Sequence, residues 1–135
     1  MIPSKIHLEV VTPERRVFER DVDEVILPGA LGMFGVLPGH APLLSELQAG
    51  VATCRGPFGR EVMAISSGFA EVTPDRVTVM AETCERAEEI DLARAEHMVE
   101  QLEEEIRRPE ADVEIVRLRL MKHLARIQAR RTFGS

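Results

Sequence analysis

The sequence predicts an α+β chain in two parts: an N-terminal antiparallel β-domain over residues 1–86 and a C-terminal antiparallel two-helix hairpin over residues 87–135. Three observations predict it. Short stretches of alternating apolar and polar residues, separated by turn signals about every eight to twelve residues, run from residue 5 to about residue 81 with almost no helical periodicity. That is the pattern of a sandwich or flattened barrel. From Asp91 the apolar positions step by three and four instead, the spacing of a helix face. The charge balance changes at the same place: residues 1–86 hold 12 acidic and 8 basic side chains, residues 87–110 hold 9 and 3, and residues 111–135 hold 2 and 6.

Taken in order, Ile6, Leu8 and Val10 alternate with His7 and Glu9 until Thr12-Pro13 breaks the run, the period of a half-buried strand. Residues 17–20 form a short second strand, and residues 23–27 a third with Val25 and Leu27 on one face. Residues 29–44 are different in kind. Gly29, Gly32, Gly35, Gly39, Pro38 and Pro42 are interleaved with Leu31, Met33, Phe34, Val36, Leu37, Leu43 and Leu44, too apolar a set for a solvated loop. They predict an ordered, sharply bent apolar surface that either closes the end of the β-domain or is offered to a partner. Strands follow at 51–55, 61–66, 69–73 and 76–81, separated by Gly56-Pro57-Phe58-Gly59, Ser67-Gly68 and Pro74-Asp75.

In the C-terminal part Asp91 is placed to cap a helix whose apolar face is Leu92, Ala95, Val99, Leu102 and Ile106, and Pro109 ends the run. Val113, Val116, Leu120, Leu124 and Ile127 repeat the stepping, so a second helix follows a short connection at 108–111 and returns antiparallel. Ile115, Leu118 and Met121 add apolar surface beyond that stripe, and some of it must meet the β-domain or another protein. The first helix carries Glu96, Glu100, Glu103, Glu104 and Glu105, and the second Arg117, Arg119, Lys122, Arg126, Arg130 and Arg131. Exposed pairs between them contribute under about 1 kcal/mol each, so closure of the hairpin is expected to be easily switched.

No catalytic set emerges. His40 stands in the glycine-rich bend without a nucleophile or acidic partner, and is expected to bond to backbone. His7, His97 and His123 are isolated and form no metal-ligand set; the glycines match neither the P-loop nor G-x-G-x-x-G. Cys54 and Cys84 are expected to be buried reduced thiols. A net charge of −6 with no Trp or Tyr argues against nucleic acid. No run approaches the roughly 20 apolar residues that span a bilayer, and no leader precedes the first strand, so a soluble, non-enzymatic chain is expected.

Five segments carry a resemblance. Gly35-Val36-Leu37-Pro38-Gly39-His40-Ala41-Pro42-Leu43-Leu44 resembles the G-x-x-P-G-H-A-P-L-L segment of the epsilon subunit of bacterial rotary ATP synthases. His7-Leu8-Glu9-Val10-Val11-Thr12-Pro13 resembles that family's opening strand, and Ser67-Gly68-Phe69-Ala70-Glu71-Val72 its G-G-x-x-E-V turn. Val77-Thr78-Val79-Met80-Ala81-Glu82-Thr83 resembles V-T-V-L-A-D/E-T, and Ile90-Asp91-Leu92-Ala93-Arg94-Ala95 resembles the I/L-D-x-x-R-A motif with which several members bind ATP.

The resemblance implies a ten-stranded β-sandwich followed by the hairpin, on the central stalk of a proton-translocating ATP synthase. It implies a non-catalytic rotor subunit that couples c-ring rotation to ATP synthesis. The implied partners are the gamma subunit, the c-ring, and the alpha and beta subunits of the catalytic hexamer, at the cytoplasmic side of a bacterial cell membrane that the chain touches only through the complex. Met33, Phe34, Val36, Leu37 and His40 fall at the c-ring or gamma contact, with Met33 where relatives commonly carry a carboxylate. The helices are expected to inhibit ATP hydrolysis by extending into the hexamer, with Arg117, Arg119 and Arg130 meeting it. No cofactor is required; a regulatory ATP, with or without magnesium, is implied at Glu85, Ile90, Asp91, Arg94, Ala95, Lys122 and Arg126. Where ATP-binding relatives have another arginine on the first helix, this chain has Gln101. Two rivals are a free-standing ligand-binding sandwich and an adaptor whose helices join a coiled coil.

Overall fold

The computed structural model describes residues 2–134. Ten strands, β1 (Ile6–Val11), β2 (Arg16–Val22), β3 (Glu24–Gly29), β4 (Gly32–Val36), β5 (Leu43–Leu47), β6 (Gly50–Gly56), β7 (Gly59–Ile65), β8 (Gly68–Thr73), β9 (Arg76–Ala81) and β10 (Cys84–Arg86), form one sheet. Its hydrogen-bonded order is β10-β7-β6-β3-β5-β8-β9-β1-β2, with β4 paired to β3. The sheet folds across β3, which pairs with β6 through Glu24 to Ile26 and with β5 only at Gly29, so that β2 returns against β6 and β10. Every pairing is antiparallel except β1 with β9, which run parallel in the register Leu8↔Val77 and Val10↔Val79. Strand periodicity reports which face is buried, not which neighbour is met, so this pair could not be foreseen.

The alternation places Ile6, Leu8 and Val10 of β1, Val25 and Leu27 of β3, Ala70 and Val72 of β8, and Val77 and Val79 of β9 in one core. Strand β7 breaks the rule, for Val62, Met63, Ala64 and Ile65 are all buried. Met63 and Ile65 join the sandwich core, while Val62 and Ala64 face outward into a second cluster with Val51, Ala87, Ile90 and Ala129. A helix covers that outer face.

Residues 29–44 are not one continuous bend. They supply β4, which makes a hairpin with β3, and the start of β5. Their glycines hid the alternation: at Gly29 an added Cβ would stand 2.8 Å from the Gly32 carbonyl, so the hairpin closes too tightly for a side chain there. Strand β10 is three residues long, too short to show a period.

A single 3-10 turn, Ala87–Glu89, leads to α1 (Leu92–Glu105) and α2 (Val113–Phe133). Asp91 caps α1 as expected, its carboxylate accepting from the Arg94 amide at 3.1 Å. Asp112 caps α2 in the same way, accepting from Ile115 at 3.2 Å. Ala95 and Leu102 are buried, with Leu92, Val99 and Ile106 half-buried, as the spacing predicts. On α2 the stripe is corrected: Val116, Ala125, Ile127 and Ala129 are buried, whereas Val113 and Leu124 are exposed. Ala129 lets the backbone of α2 lie close to β6 and β7, a role for alanine that a count of large apolar residues overlooks. Across the hairpin Arg131 meets Glu96 at 3.4 Å and Arg119 meets Glu105 at 3.9 Å, all well exposed and so weak. Both cysteines are free and buried, and burial pushes their thiols up to about 12. Among the described residues no helix is long and apolar enough to cross a membrane.

Candidate functional site

The hairpin meets the sandwich at Arg126. Its Nε lies 2.6 Å from Glu85 Oε1, off the line of a hydrogen bond, so this contact is an ion pair; Nη2 donates to Glu85 Oε2 at 3.4 Å. The Arg126 side chain is only 12% exposed, which protects the pair from screening. Its remaining arm, Nη1, reaches His123 Nδ1 at 3.1 Å. An arginine nitrogen can only donate, so Nδ1 is the acceptor and the imidazole is neutral. Burial and the neighbouring Arg126, Lys122 and Arg119 hold the His123 pKa below the usual value, against a smaller opposing pull from Glu85. Sequence reasoning passed over His123 as isolated; its position three residues before Arg126, one turn away on the helix, was the available signal.

Of the seven residues implied for a nucleotide, Glu85 and Arg126 are in contact, and Ile90 lies buried in the cluster that holds Ala129. Ala95 is also buried, and Asp91 is engaged as the cap of α1. Arg94 is exposed on α1, and among the described residues its side chain has no recorded ion pair. Lys122 lines a separate groove of about 520 Å³ between α2 and the sandwich, together with Glu46, Leu47, Glu82, Leu118 and Met121. In this closed arrangement the seven do not form one pocket. A triphosphate reaching Arg126 would have to exchange with the Glu85 carboxylate.

At the glycine-rich end Leu31, Met33, Leu37 and Leu44 are all more than half exposed, a concentration of apolar side chains in water. Phe34 packs partly onto the core. Val36 is a correction: it is 0% exposed, because β4 turns it inward opposite Val25, and it presents nothing to a partner here. His40 is bonded to backbone, Nδ1–H donating to the Ala41 carbonyl at 2.6 Å and its amide to Leu37 O at 3.1 Å. Neighbouring Gly39, at φ +88°, donates to Pro74 O at 2.7 Å and ties the bend to the β8–β9 turn.

Arg117 and Arg119 are exposed on α2, and the Arg130 guanidinium stands 5.2 Å from the Phe133 ring centroid. His7 is not isolated: Nδ1 lies 2.8 Å from Asp21 and Nε2 2.7 Å from Glu19, which raise its pKa, while the Glu19 carboxyl is lowered by His7. The β1–β2 register brings those carboxylates across from it. No group of three or more His, Cys, Asp or Glu side chains suited to a metal ion occurs among the described residues.

Residues 5–87 match the family described as ATP synthase, Delta/Epsilon chain, beta-sandwich domain. Over 129 residues the chain is 43% identical to the ATP synthase epsilon chain of Moorella thermoacetica, covering 93% of this chain and 96% of that one. It is 46% identical over 105 residues to the ATP synthase epsilon chain of Geotalea uraniireducens, covering 78% and 76%. A chain in the cryo-EM structure of Euglena gracilis mitochondrial ATP synthase, OSCP/F1/c-ring in rotational state 1, aligns with a TM-score of 0.81 over 100% of this chain and 84% of its own. At 22% identity that likeness is one of fold.

Proposed function

The chain belongs to the ATP synthase epsilon-chain family, and on that premise we propose that it is a non-catalytic rotor subunit that couples c-ring rotation to ATP synthesis and restrains ATP hydrolysis through its hairpin. The sandwich binds the gamma subunit and meets the c-ring with the exposed apolar end, Leu31, Met33 and Leu37. It does so on the cytoplasmic side of a bacterial membrane, held there through the complex. The hairpin, once released, extends toward the alpha and beta subunits and offers Arg117, Arg119 and Arg130 to acidic loops. The observation that carries this reading is the separateness of the docking: α2 is held on β6 and β7 by an apolar cluster distinct from the sandwich core, the Arg126 pair and the Arg60 bond to Thr132, so it can detach without unfolding the sandwich. Removing residues 88–135 tests it. Assembly should persist and ATP hydrolysis by the complex should rise several-fold; unchanged hydrolysis would remove the inhibitory role.

A regulatory ATP, bridging both helices, would favour the closed hairpin by binding that state better. Arg94 supplies an exposed cation and Arg126 a second one after exchange with Glu85. Calorimetric titration of the chain with ATP and magnesium should give a heat that Arg94→Ala removes. A flat trace at millimolar nucleotide would sink the nucleotide role while leaving the rotor role standing.

A further inference from the structure

We propose that His123 is a pH-dependent catch for the hairpin: neutral, it accepts from Arg126 and steadies the contact with Glu85; protonated, it repels Arg126 and the hairpin leaves the sandwich. The proposal rests on the reading that the hairpin is releasable, but not on what the released hairpin meets.

The geometry is specific. Arg126 joins three things at once, Glu85 on β10, His123 on its own helix and the covered side of α2, and it is nearly buried while doing so. A proton on Nδ1 would set donor against donor at 3.1 Å and place two cations in contact. Lys122 and Arg119 add further positive charge on the same helix, and the acid that opposes them, Glu85, is already matched to Arg126. The other charges on elements packed against α2 either meet other partners or are exposed, Arg94 of α1 among the latter. On α1, Glu96 and Glu105 meet Arg131 and Arg119, while Glu100, Glu103 and Glu104 are exposed, as is His97. On the sandwich side Glu61 and Glu88 both meet Arg86, Glu89 meets Arg15, and Arg60 donates to the Thr132 carbonyl.

The sign follows from linkage. The docked state holds His123 with a lowered pKa, so it binds fewer protons than the released state. Its contribution is fully present above the ordinary histidine value of about 6.5 and is lost as pH falls through the window just below it. His7 has the opposite sense: its raised pKa gives stability present below about 6.5 and lost as pH rises, and it acts on β1 and β2, away from the hairpin.

The test uses the free full-length chain with spin labels on Glu14→Cys and Gln128→Cys, both exposed; the native thiols are buried and unreactive. Pulsed dipolar spectroscopy should show one short distance at about pH 7.5 and at least about a threefold rise in a longer population by about pH 5.5. His123→Gln keeps an acceptor without titrating, and should hold the short distance at both values. His123→Lys should be released at both. A wild-type distribution that does not change, a His123→Gln chain that changes like wild type, or a His123→Lys chain docked at pH 7.5 would each overturn the proposal.

Discussion

Ala129→Glu is expected to free the hairpin while the sandwich stays folded. Ala129 is 0% exposed, set against Val51, Val62, Ala64, Ala87 and Ile90, with no basic group in that cluster. An ionised carboxylate buried there without a partner costs several kcal/mol, whether the charge is kept or the group takes a proton. The docking it opposes consists of that cluster, the Arg126–Glu85 contact and the Arg60 bond to Thr132. Release is therefore the cheaper outcome. The core of the sandwich is a separate cluster and does not include Ala129. Methyl NMR should show Val51, Val62 and Ala64 shifting together while Leu8, Val25 and Val79 stay in place, and the radius of gyration should rise. In the assembled complex the same variant should deepen inhibition of ATP hydrolysis if the released hairpin is the inhibitor. Unshifted Val62 and Ala64 signals would show that this surface does not hold the hairpin.

Gly68→Ala is expected to cripple the sandwich itself. Gly68 opens β8 at φ +153°, and a Cβ built on it would lie 2.0 Å from the Met80 carbonyl oxygen and 2.9 Å from Ala81 Cα. Those atoms belong to β9, paired to β8 along its length, so they cannot yield without breaking the ladder. A loss of 3 kcal/mol or more, to order of magnitude, follows from a backbone clash of this kind. For a domain of this size that lowers Tm by roughly 12–24 °C. Gly32→Ala is the control. Its φ is +133°, but nothing lies within 4 Å of the added Cβ, so it should lose only about 1 kcal/mol from backbone conformation. Equal losses at the two positions would mean that φ, and not crowding against β9, sets the requirement at Gly68.

The elements whose residues alternate or step cleanly were legible in the sequence. Ile6, Leu8 and Val10 turned inward on β1, Asp91 capped α1, and Ala95 and Leu102 filled the expected helix face. What was not legible depended on partners distant in sequence. The carboxylates that grip His7 arrive only through the β1–β2 register, and His123 gains its meaning from Glu85 acting through Arg126. Glycines concealed β4, and with it the inward turn of Val36. Ala129 was invisible because small residues carry little hydrophobic signal even where they decide how closely a helix can lie. One clue was present and unused: Val62-Met63-Ala64-Ile65 does not alternate, and a strand apolar on successive residues is covered on both faces.

That doubly covered strand ties the behaviour of the tail to its company. When α2 departs, Val51, Val62 and Ala64 are left as a bare greasy ribbon beside water, so a solitary chain resists opening and, once open, is prone to stick to its own kind. A neighbour able to cover the ribbon removes that penalty. Opening is thereby discouraged in a solitary chain and eased wherever a partner covers Val51, Val62 and Ala64.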